Sequence, residues 1–312
     1  MTHPKISIIT PSFNQAHFLA ETMDSVLNQR YPNLEYLVID GGSTDGSVEL
    51  IRRYADRLTH WESERDRGQA HAINKGLRRA TGDIVAFLNS DDLYLPGTLQ
   101  AVAETFQREP DTQWLAGGVL MFGEEGCLED NTWWHEAQVA RTPADWIYKN
   151  YEASQPAHFW RRGLFEEHGS FDEQLHFCFD HELYVRLACA GISCRPLHRP
   201  LAGYRFHTQS KTVSAKARFE DDFAAVRARY ADRLTGWQAW RAGRKAKQRM
   251  KVEQMFQCFQ RAQQMSFDGK SWSAWRACLA GLWASPTGIA SRAFWGCGRR
   301  LLLGGAKRTA EE

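Results

Sequence analysis

The sequence predicts an α/β fold in which a mostly parallel sheet is flanked by helices. Short apolar runs at residues 6–10 and 36–39 alternate with segments whose apolar residues recur at helical spacing. Strands that are apolar throughout are typical of a parallel sheet covered on both faces. Polar clusters follow three of these runs, and in open α/β sheets ligands bind at the carboxyl ends of the strands.

The elements follow one another in regular order. Strands are predicted at residues 6–10, 36–39, 83–88 and 113–122, and residues 193–206 are expected to be extended. Helices are predicted from the apolar face of Leu19, Met23, Val26 and Leu27, from that of Ile73, Leu77 and Ala80, and over residues 48–54, 97–107 and 183–190. Residues 123–179 are less regular, and the chain is mainly helical from residue 216 onward.

Composition excludes several protein classes. The chain has 312 residues, of which 43% are hydrophobic and 24% charged, so it is neither disordered nor fibrous. The uncharged run at residues 277–291 is shorter than a membrane span and is broken by Pro286. The residues before the first strand lack the pattern of a signal peptide, so none is expected, and the seven cysteines form no disulfide or zinc pattern. The sequence predicts a cytoplasmic protein, with association at the inner face of the cytoplasmic membrane left open.

Charge is distributed unevenly along the chain. Residues 236–312 carry a net charge of +10 and six of the 12 tryptophans, whereas residues 1–235 carry −8. Basic residues attract acidic lipid headgroups and tryptophan prefers the membrane interface, so the basic end suits a peripheral contact with an anionic membrane. Packing of this helical segment on the acidic body is the second interpretation. Nucleic-acid binding is disfavoured because no recognition motif appears.

Three polar clusters are expected to lie together at one edge of the sheet. They are Pro11-Ser-Phe-Asn14, Asp40-Gly-Gly-Ser-Thr-Asp45 and Asn89-Ser-Asp-Asp92. Each one alone also fits turn or helix-cap chemistry. Asp91 and Asp92 have no basic neighbour in sequence, and paired carboxylates favour a divalent cation between them. The chain lacks the glycine-rich motifs of dinucleotide folds and P-loops, and also the nucleophile elbow of hydrolases.

Six segments together resemble the family-two glycosyltransferases, over about residues 5–212. The matching segments are Ser7-Ile-Ile-Thr-Pro-Ser-Phe-Asn14, Val38-Ile-Asp-Gly-Gly-Ser-Thr-Asp-Gly46, Glu64-Arg-Asp-Arg-Gly-Gln-Ala-His-Ala-Ile-Asn-Lys-Gly76, Thr81-Gly-Asp-Ile-Val-Ala-Phe-Leu-Asn-Ser-Asp-Asp92, Phe171-Asp172 and Phe179-Asp-His-Glu-Leu183. The resemblance implies a GT-A fold at residues 1–215, followed by a helical, basic extension at residues 216–312. It also implies an inverting, metal-dependent transfer of a sugar from a nucleotide-diphosphate sugar to a carbohydrate or lipid-linked acceptor in surface polysaccharide or glycolipid synthesis.

The resemblance also assigns roles to residues. The expected donor-binding residues are Pro11, Ser12, Asn14, Asp40, Asp66, Gln69, Asn74, Lys75, Ser90 and Asp91. Asp40 would accept a hydrogen bond from the base. Asn89-Ser-Asp91 stands where the family usually has Asp-x-Asp, so binding of Mn²⁺ or Mg²⁺ would rest on Asp91, helped by Asp92. His207 is a further candidate contact to metal or diphosphate.

Asp180 stands at the position of the family's catalytic base. A carboxylate there can take the proton of the acceptor hydroxyl as its oxygen attacks the sugar. The alternative is a helix cap, since Asp180 is expected just before a helix that begins near Glu182. Two other functions stay open, namely a sugar nucleotidyltransferase and a catalytically degenerate nucleotide-sugar-binding protein. The first would need a glycine-rich basic loop near the N-terminus, which is absent here.

Overall fold

The computed structural model describes residues 3–123, 133–137, 139–149, 154–207, 210–211 and 216–267, together with residues 276 and 279. The chain divides into two compact units, Met1–Thr235 and Gly236–Glu312, which are described separately. The domain boundary after residue 215 stays a prediction. In the structure, the helix that follows this point belongs to the first unit.

Within the described residues, nine strands form one sheet. They are β1 (Ile6–Ser12), β2 (Leu34–Asp40), β3 (His60–Ser63), β4 (Ile84–Phe87), β5 (Leu93–Tyr94), β6 (Trp114–Gly123), β7 (Trp133–His135), β8 (His158–Arg161) and β9 (Cys194–Phe206). Their order is β3-β2-β1-β4-β8-β6-β9-β5, with β7 paired to β6. The pairs along β3-β2-β1-β4 and between β6 and β9 are parallel, and β8 joins the two groups by antiparallel pairing.

The helices cover both faces of this sheet. In the first unit they are α1 (Ala16–Leu27), α2 (Ser47–Tyr54), α3 (Gln69–Arg79), α4 (Thr98–Arg108), α5 (Pro143–Ile147), α6 (Gly163–His168), α7 (Phe179–Cys189) and α8 (Lys216–Tyr230). Short 3₁₀ turns follow α2, precede β8 and follow α8. The strands at residues 6–10, 36–39 and 113–122 and the helical faces of α1 and α3 are thereby confirmed.

Strand β1 lies in the interior of the sheet, between β2 and β4, and all seven of its residues are buried. Side chains alternate between the faces of a strand, so Ile9 packs into one core cluster and Ile8 into the other. On the Ile9 side the cluster includes Ile73 of α3, and on the Ile8 side it includes Leu19 and Met23 of α1. Because β1 is buried on both faces, its sequence is a nearly continuous run of apolar residues.

The pairing of β6 with β9 contains two irregularities. Gly117 is paired with Leu197 and Gly118 with Pro200, after which Val119 is paired with Ala202. Strand β9 therefore carries three more residues than β6 over this interval, which is the property of β-bulges. The bulged region sits before the end of β9, where the strand reaches the edge of the sheet that holds the polar clusters.

One predicted boundary is wrong. The first turn of α7 begins at Phe179, not near Glu182, and its N-cap residue is Cys178. The apolar pattern that begins at Leu183 marks only the buried middle of the helix. Asp180 consequently lies inside the first turn of α7 and does not cap it.

The described part of the second unit is a single long helix, α9 (Gly236–Phe267). It contains seven Lys or Arg residues and one Glu. In the part of the chain that the structure describes, no helix is long and apolar enough to cross a membrane.

Candidate active site

A cavity of about 320 Å³ opens at the carboxyl ends of β1 and β4, beside the end of β9. Eight of the predicted site residues line it, and they come from four separate parts of the chain. They are Pro11, Ser12, Asp66, Gln69, Ser90, Asp91, Asp92 and Asp180. The sheet topology therefore brings most of the predicted residues to one place.

Asp91 is the most accessible acid at the end of β4. Its side chain is 21% exposed, and its Oδ2 accepts a hydrogen bond of 3.0 Å from Nε2 of His207, which is buried. Its backbone carbonyl accepts from Nε of Arg205 at 2.9 Å. His207, expected as a contact to metal or diphosphate, is instead bonded to Asp91 and is not part of the cavity lining.

Asp92 is held differently from its neighbour. Its carboxyl is buried and accepts from the backbone N–H of Arg205 at 3.0 Å and from Nδ2 of Asn89 at 3.3 Å. Burial, followed by the negative charge of Asp91, raises the pKa of Asp92 well above its usual range. Through its bond to Arg205, Asp92 ties the end of β4 to β9. Its role as a metal ligand stays a prediction.

Asn89 links the two sides of the cavity through its amide. Its Oδ1 accepts from Nε2 of Gln69 at 2.6 Å, and its Nδ2 donates to Oε1 of Gln155 at 3.0 Å. Nζ of Lys211 in turn donates to Oε1 of Gln69 at 2.7 Å. The result is a chain of polar contacts that runs from α3 across the end of β4.

Asp180 faces the same cavity from the first turn of α7. Burial raises the pKa of its carboxyl to about 6, although the N–H of His181 and the positive charge of Lys149 act in the opposite direction. Its Oδ1 accepts from the His181 N–H at 2.7 Å. A carboxylate with a pKa close to neutrality is suited to accept a proton during a reaction.

The other acids near Asp180 in sequence are bound elsewhere. Asp172 accepts from Nη1 of Arg229 at 2.7 Å. Glu182 is buried and accepts from Arg186 and from the Tyr230 hydroxyl. Neither carboxylate lines the cavity. Asp180 is therefore the acid of this segment that has access to a bound ligand.

Two predicted residues shape the loop after β2. The buried carboxylate of Asp40 accepts from the backbone N–H groups of Gly42 and Ser43 and from two serine hydroxyls, including that of Ser63 at 2.6 Å. Asn14 accepts from the Thr44 N–H at 2.9 Å. Neither residue is in the cavity lining. Both side chains hold the loop after β2 in place.

Two residues of α3 also point away from the cavity. The buried amide of Asn74 accepts from the Phe171 N–H and donates to its carbonyl, which fastens the segment before α7. Nζ of Lys75 lies 3.0 Å from Oε1 of Glu62 in an ion pair. The predicted nucleotide contacts of these two residues are not supported by their positions.

The structure adds residues that the sequence did not single out. Arg205 and Lys211, at the end of β9 and beyond it, line the cavity together with Gln155 and Phe219. Burial lowers the pKa of Lys211, while the charges of Asp91, Asp66 and Asp180 act to raise it. The three acids thus surround one ammonium group. The only signal in the sequence was the position of Lys211 just after the segment that contains His207.

A divalent cation would find the carboxylate of Asp91 here. His207 is buried behind it and donates its Nε2–H to Asp91, so its role as a direct ligand stays a prediction. Among the described residues, no group of three or more His, Cys, Asp or Glu side chains is arranged to hold a metal. Mg²⁺ is commonly held by one or two carboxylates, with substrate phosphates and waters completing its shell. The donors present fit a cation whose other ligands come from a bound diphosphate.

Glycosyltransferases are among the known proteins that this chain resembles in sequence. The family model described as Glycosyl transferase family 2 matches residues 7–186, more than half of the chain. A protein of Nostoc sp. named as an uncharacterized glycosyltransferase is 37% identical over 106 residues, which are 33% of each chain. A Bacillus subtilis protein named provisionally as the teichuronic acid biosynthesis glycosyltransferase TuaG is 35% identical over 130 residues, 41% of this chain and 51% of the relative. The matches thus span a third to a half of these relatives.

Solved structures share the fold over almost the whole chain. Staphylococcus aureus TarS in complex with UDP-GlcNAc has a TM-score of 0.60 at 18% identity and covers 97% of this chain and 88% of its own. The mannosyltransferase PcManGT from Pyrobaculum calidifontis, in complex with GDP-Man and Mn²⁺, has a TM-score of 0.57 at 19% identity and covers 98% and 82%. These likenesses confirm the predicted GT-A fold.

We expect Asp180→Asn to stabilise the protein at pH 8 but not at pH 4. The folded-state pKa of about 6 exceeds the ordinary value of 3.8, so ionising Asp180 costs stability above pH 6, and this cost disappears below pH 3.8. Melting curves should show an increase of about 6–12 °C at pH 8. Raising the pKa from 3.8 to about 6 is worth about 3 kcal/mol, and each 1 kcal/mol shifts the melting temperature of a domain of this size by about 2–4 °C.

Asp172→Asn provides the matched control. Burial raises the pKa of Asp172, but the hydrogen bond from Arg229 outweighs it and the net shift is downward. This substitution should therefore lower the melting temperature at pH 8. If Asp180→Asn also lowered it, the carboxylate of Asp180 would be stabilised by its surroundings, contrary to the expectation.

Proposed function

This chain belongs to glycosyltransferase family 2, and on that premise we propose that it transfers a sugar from a nucleotide-diphosphate sugar to an acceptor hydroxyl with inversion. The observation that carries the proposal is that Asp180 and Asp91 face one cavity around the same ammonium group, that of Lys211. One acid is suited to take up a proton, and the other lies where a diphosphate would need a cation. The nucleotide sugars bound by TarS and the mannosyltransferase support a donor of this class.

Asp180 acts as the general base in this proposal. Its carboxylate takes the proton of the acceptor hydroxyl while the oxygen attacks the anomeric carbon. The bond between that carbon and the diphosphate oxygen breaks, and the nucleotide diphosphate leaves with the electron pair. The proton ends on Asp180, and a single displacement inverts the anomeric configuration. The raised pKa of Asp180 makes it a stronger base than a solvated aspartate.

The leaving diphosphate needs positive charge at the opposite side of the cavity. Lys211 and Arg205 line the cavity and are the basic side chains that would face the diphosphate. Asp91 would hold Mn²⁺ or Mg²⁺, with its carboxylate fixed from behind by His207, and the ion would supply charge neutralisation to the phosphate oxygens. Pro11, Ser12, Asp66 and Gln69 would bind the rest of the donor. Of these, Ser12 is buried, and its hydroxyl has no partner in the part of the chain that the structure describes, so a ligand can satisfy it.

The acceptor belongs to the proposal as well. The name of the Bacillus subtilis relative supports a role in surface polysaccharide synthesis. A lipid-linked acceptor would place the enzyme at a membrane surface. The second unit carries a feature that supports this placement.

Helix α9 presents an exposed face of tryptophan and arginine. Trp237, Trp240, Arg241 and Arg244 follow helical spacing, and we refer to them as the Trp–Arg face. The two indole rings are 65% and 53% exposed and stack with centroids 4.9 Å apart, and the Arg244 guanidinium lies 5.5 Å from the Trp240 ring centroid. Exposed indoles flanked by cations are typical of helices that lie in the interface of an anionic bilayer.

Turnover tests the function directly. With a panel of nucleotide sugars, the wild-type protein should release nucleotide diphosphate from at least one donor, and Asp180→Asn should reduce that rate by about 10²–10⁴-fold. Donor affinity should stay within a few-fold. The wild-type kcat/KM should fall tenfold per unit below pH 6, because the base is then protonated.

Asp172→Asn again serves as the control, and its rate should stay close to that of the wild type. If the rate fell further in Asp172→Asn than in Asp180→Asn, the assignment of Asp180 as the base would be wrong. A protein that bound donors without releasing nucleotide diphosphate would be a binding protein and not an enzyme.

Metal dependence gives a second prediction. Nucleotide diphosphate should bind at least about tenfold more tightly with Mn²⁺ than with chelator, a difference of ~1.4 kcal/mol, by calorimetry. Asp91→Ala should abolish this difference, because it removes the accessible carboxylate at the end of β4. Asp111→Ala removes an exposed carboxylate outside the cavity and should leave the difference unchanged. If the wild-type protein bound nucleotide diphosphate equally well with Mn²⁺ and with chelator, metal-dependent binding would be excluded.

Membrane binding gives a third prediction. The full-length protein should pellet with phosphatidylglycerol vesicles, and less so as salt rises, because exposed charges are screened within ~10 Å at 0.1 M. Replacing Trp237 and Trp240 together by alanine should reduce pelleting, whereas Gln248→Ala on the same helix should not. Failure of the wild-type protein to bind these vesicles at low salt would exclude the membrane role.

A further inference from the structure

Helix α8 lies outside the matched segment 7–186, yet it is built into the first unit. Val226 and Tyr230 are buried in the same core cluster as α7. The Tyr230 hydroxyl donates to Glu182 of α7 at 2.5 Å. Helix α8 is thus fixed against the helix that carries Asp180.

The contact is closest just before α7 begins. Oδ2 of Asp222 on α8 accepts from the backbone N–H of Phe177 at 2.9 Å and from that of Cys178 at 3.3 Å. The Cys178 thiol donates to the Phe219 carbonyl at 3.5 Å, and the rings of Phe177 and Phe219 lie 5.1 Å apart. Cys178 makes no side-chain cap of its own, so α8 supplies what the N-terminus of α7 lacks.

The position of Asp180 depends on this backbone. Among the described residues, the hydrogen bonds to its carboxylate come from backbone N–H groups of its own turn. No neighbouring side chain in those ranges braces it by a hydrogen bond, in contrast to bases that are oriented by a third group. Whatever fixes the first turn of α7 therefore fixes the carboxylate.

We propose that Asp222 is the positioning residue for Asp180, holding the backbone before α7 so that the carboxylate faces the cavity. The proposal rests on the proposed function, in which Asp180 is the base. Without Asp222, the N–H groups of Phe177 and Cys178 lose their acceptor and the first turn of α7 loosens. A displacement of about 1 Å at a reacting group can cost 10²-fold in rate.

The charged and titratable groups around Asp180 come from several elements. Lys149 and Lys211 contribute positive charge, and the His181 ring and the Cys178 thiol adjoin it on its own helix. Asp222 faces the same turn from α8. Both lysines stay in place when Asp222 is replaced, so a change in the titration of Asp180 reports on its exposure to water.

The kinetic experiment compares Asp222→Ala with Asp221→Ala, which removes an exposed carboxylate one position earlier on α8. Asp222→Ala should lower kcat at least tenfold while the donor KM stays within twofold of the wild-type value. The acid limb of its pH–rate profile should move to below pH 6. Asp221→Ala should change neither value by more than twofold. Asp222→Asn should restore most of the rate, because an amide oxygen still accepts the two N–H groups. An unchanged kcat and acid limb in Asp222→Ala would overturn the proposal.

A second measurement needs no substrate and is therefore independent of the proposed function. Asp180→Asn is expected to raise the melting temperature at pH 8, and this increase should disappear when Asp222→Ala is also present, because Asp180 is then hydrated. An increase of full size in the Asp222→Ala background would overturn the positioning role, whatever the enzyme assay shows. If alanine at this position prevents folding, Asp222→Ser, whose side chain is one atom shorter than that of aspartate, replaces it in both measurements.

Discussion

The hydrogen bonds between the end of β4 and the end of β9 hold the site together. Asp92 accepts from the Arg205 N–H, the Asp91 carbonyl accepts from the Arg205 side chain, and His207 donates to the Asp91 carboxylate. The hydroxyl of Thr22 on α1 adds two bonds to the same turn, at the carbonyls of Ser90 and Asp92. More than a hundred residues separate the two strand ends in sequence. The position of Asp91 therefore depends on these long-range bonds and not only on its own turn.

An amide at residue 89 suits this network better than an acid would. Asn89 donates to a carboxyl oxygen of Asp92 and to the amide oxygen of Gln155, and it accepts from Gln69. A carboxylate in its place would oppose two acceptors and add a third acid beside Asp91 and Asp92, which costs free energy in a partly buried site. Asn89, which replaces the first acid of the Asp-x-Asp pattern, is therefore the residue that fits the hydrogen-bond partners around it.

Local pattern predicted the strands, the helical faces and the placement of polar clusters at strand ends. It could not distinguish Asp91, which is accessible, from Asp40, whose carboxylate is fully hydrogen-bonded within the protein. One partner of Asp40 is Ser63, which lies on a different strand and far along the chain. Likewise, Asn74 bonds to Phe171, 97 residues away. The start of α7 was misplaced for the same reason, since its N-terminus depends on Asp222 of a later helix. Residues whose partners are distant in sequence leave no local signal.

The bulged pairing of β6 with β9 has a consequence for how this site can change. The extra residues of β9 lie within the bulge, and beyond it Arg205 is again paired with Phe122 of β6. A residue removed between Leu197 and Ala202 would shorten the bulge and leave this pairing in register. Length variation in β9 is therefore taken up before the strand reaches Arg205 and the polar edge of the sheet.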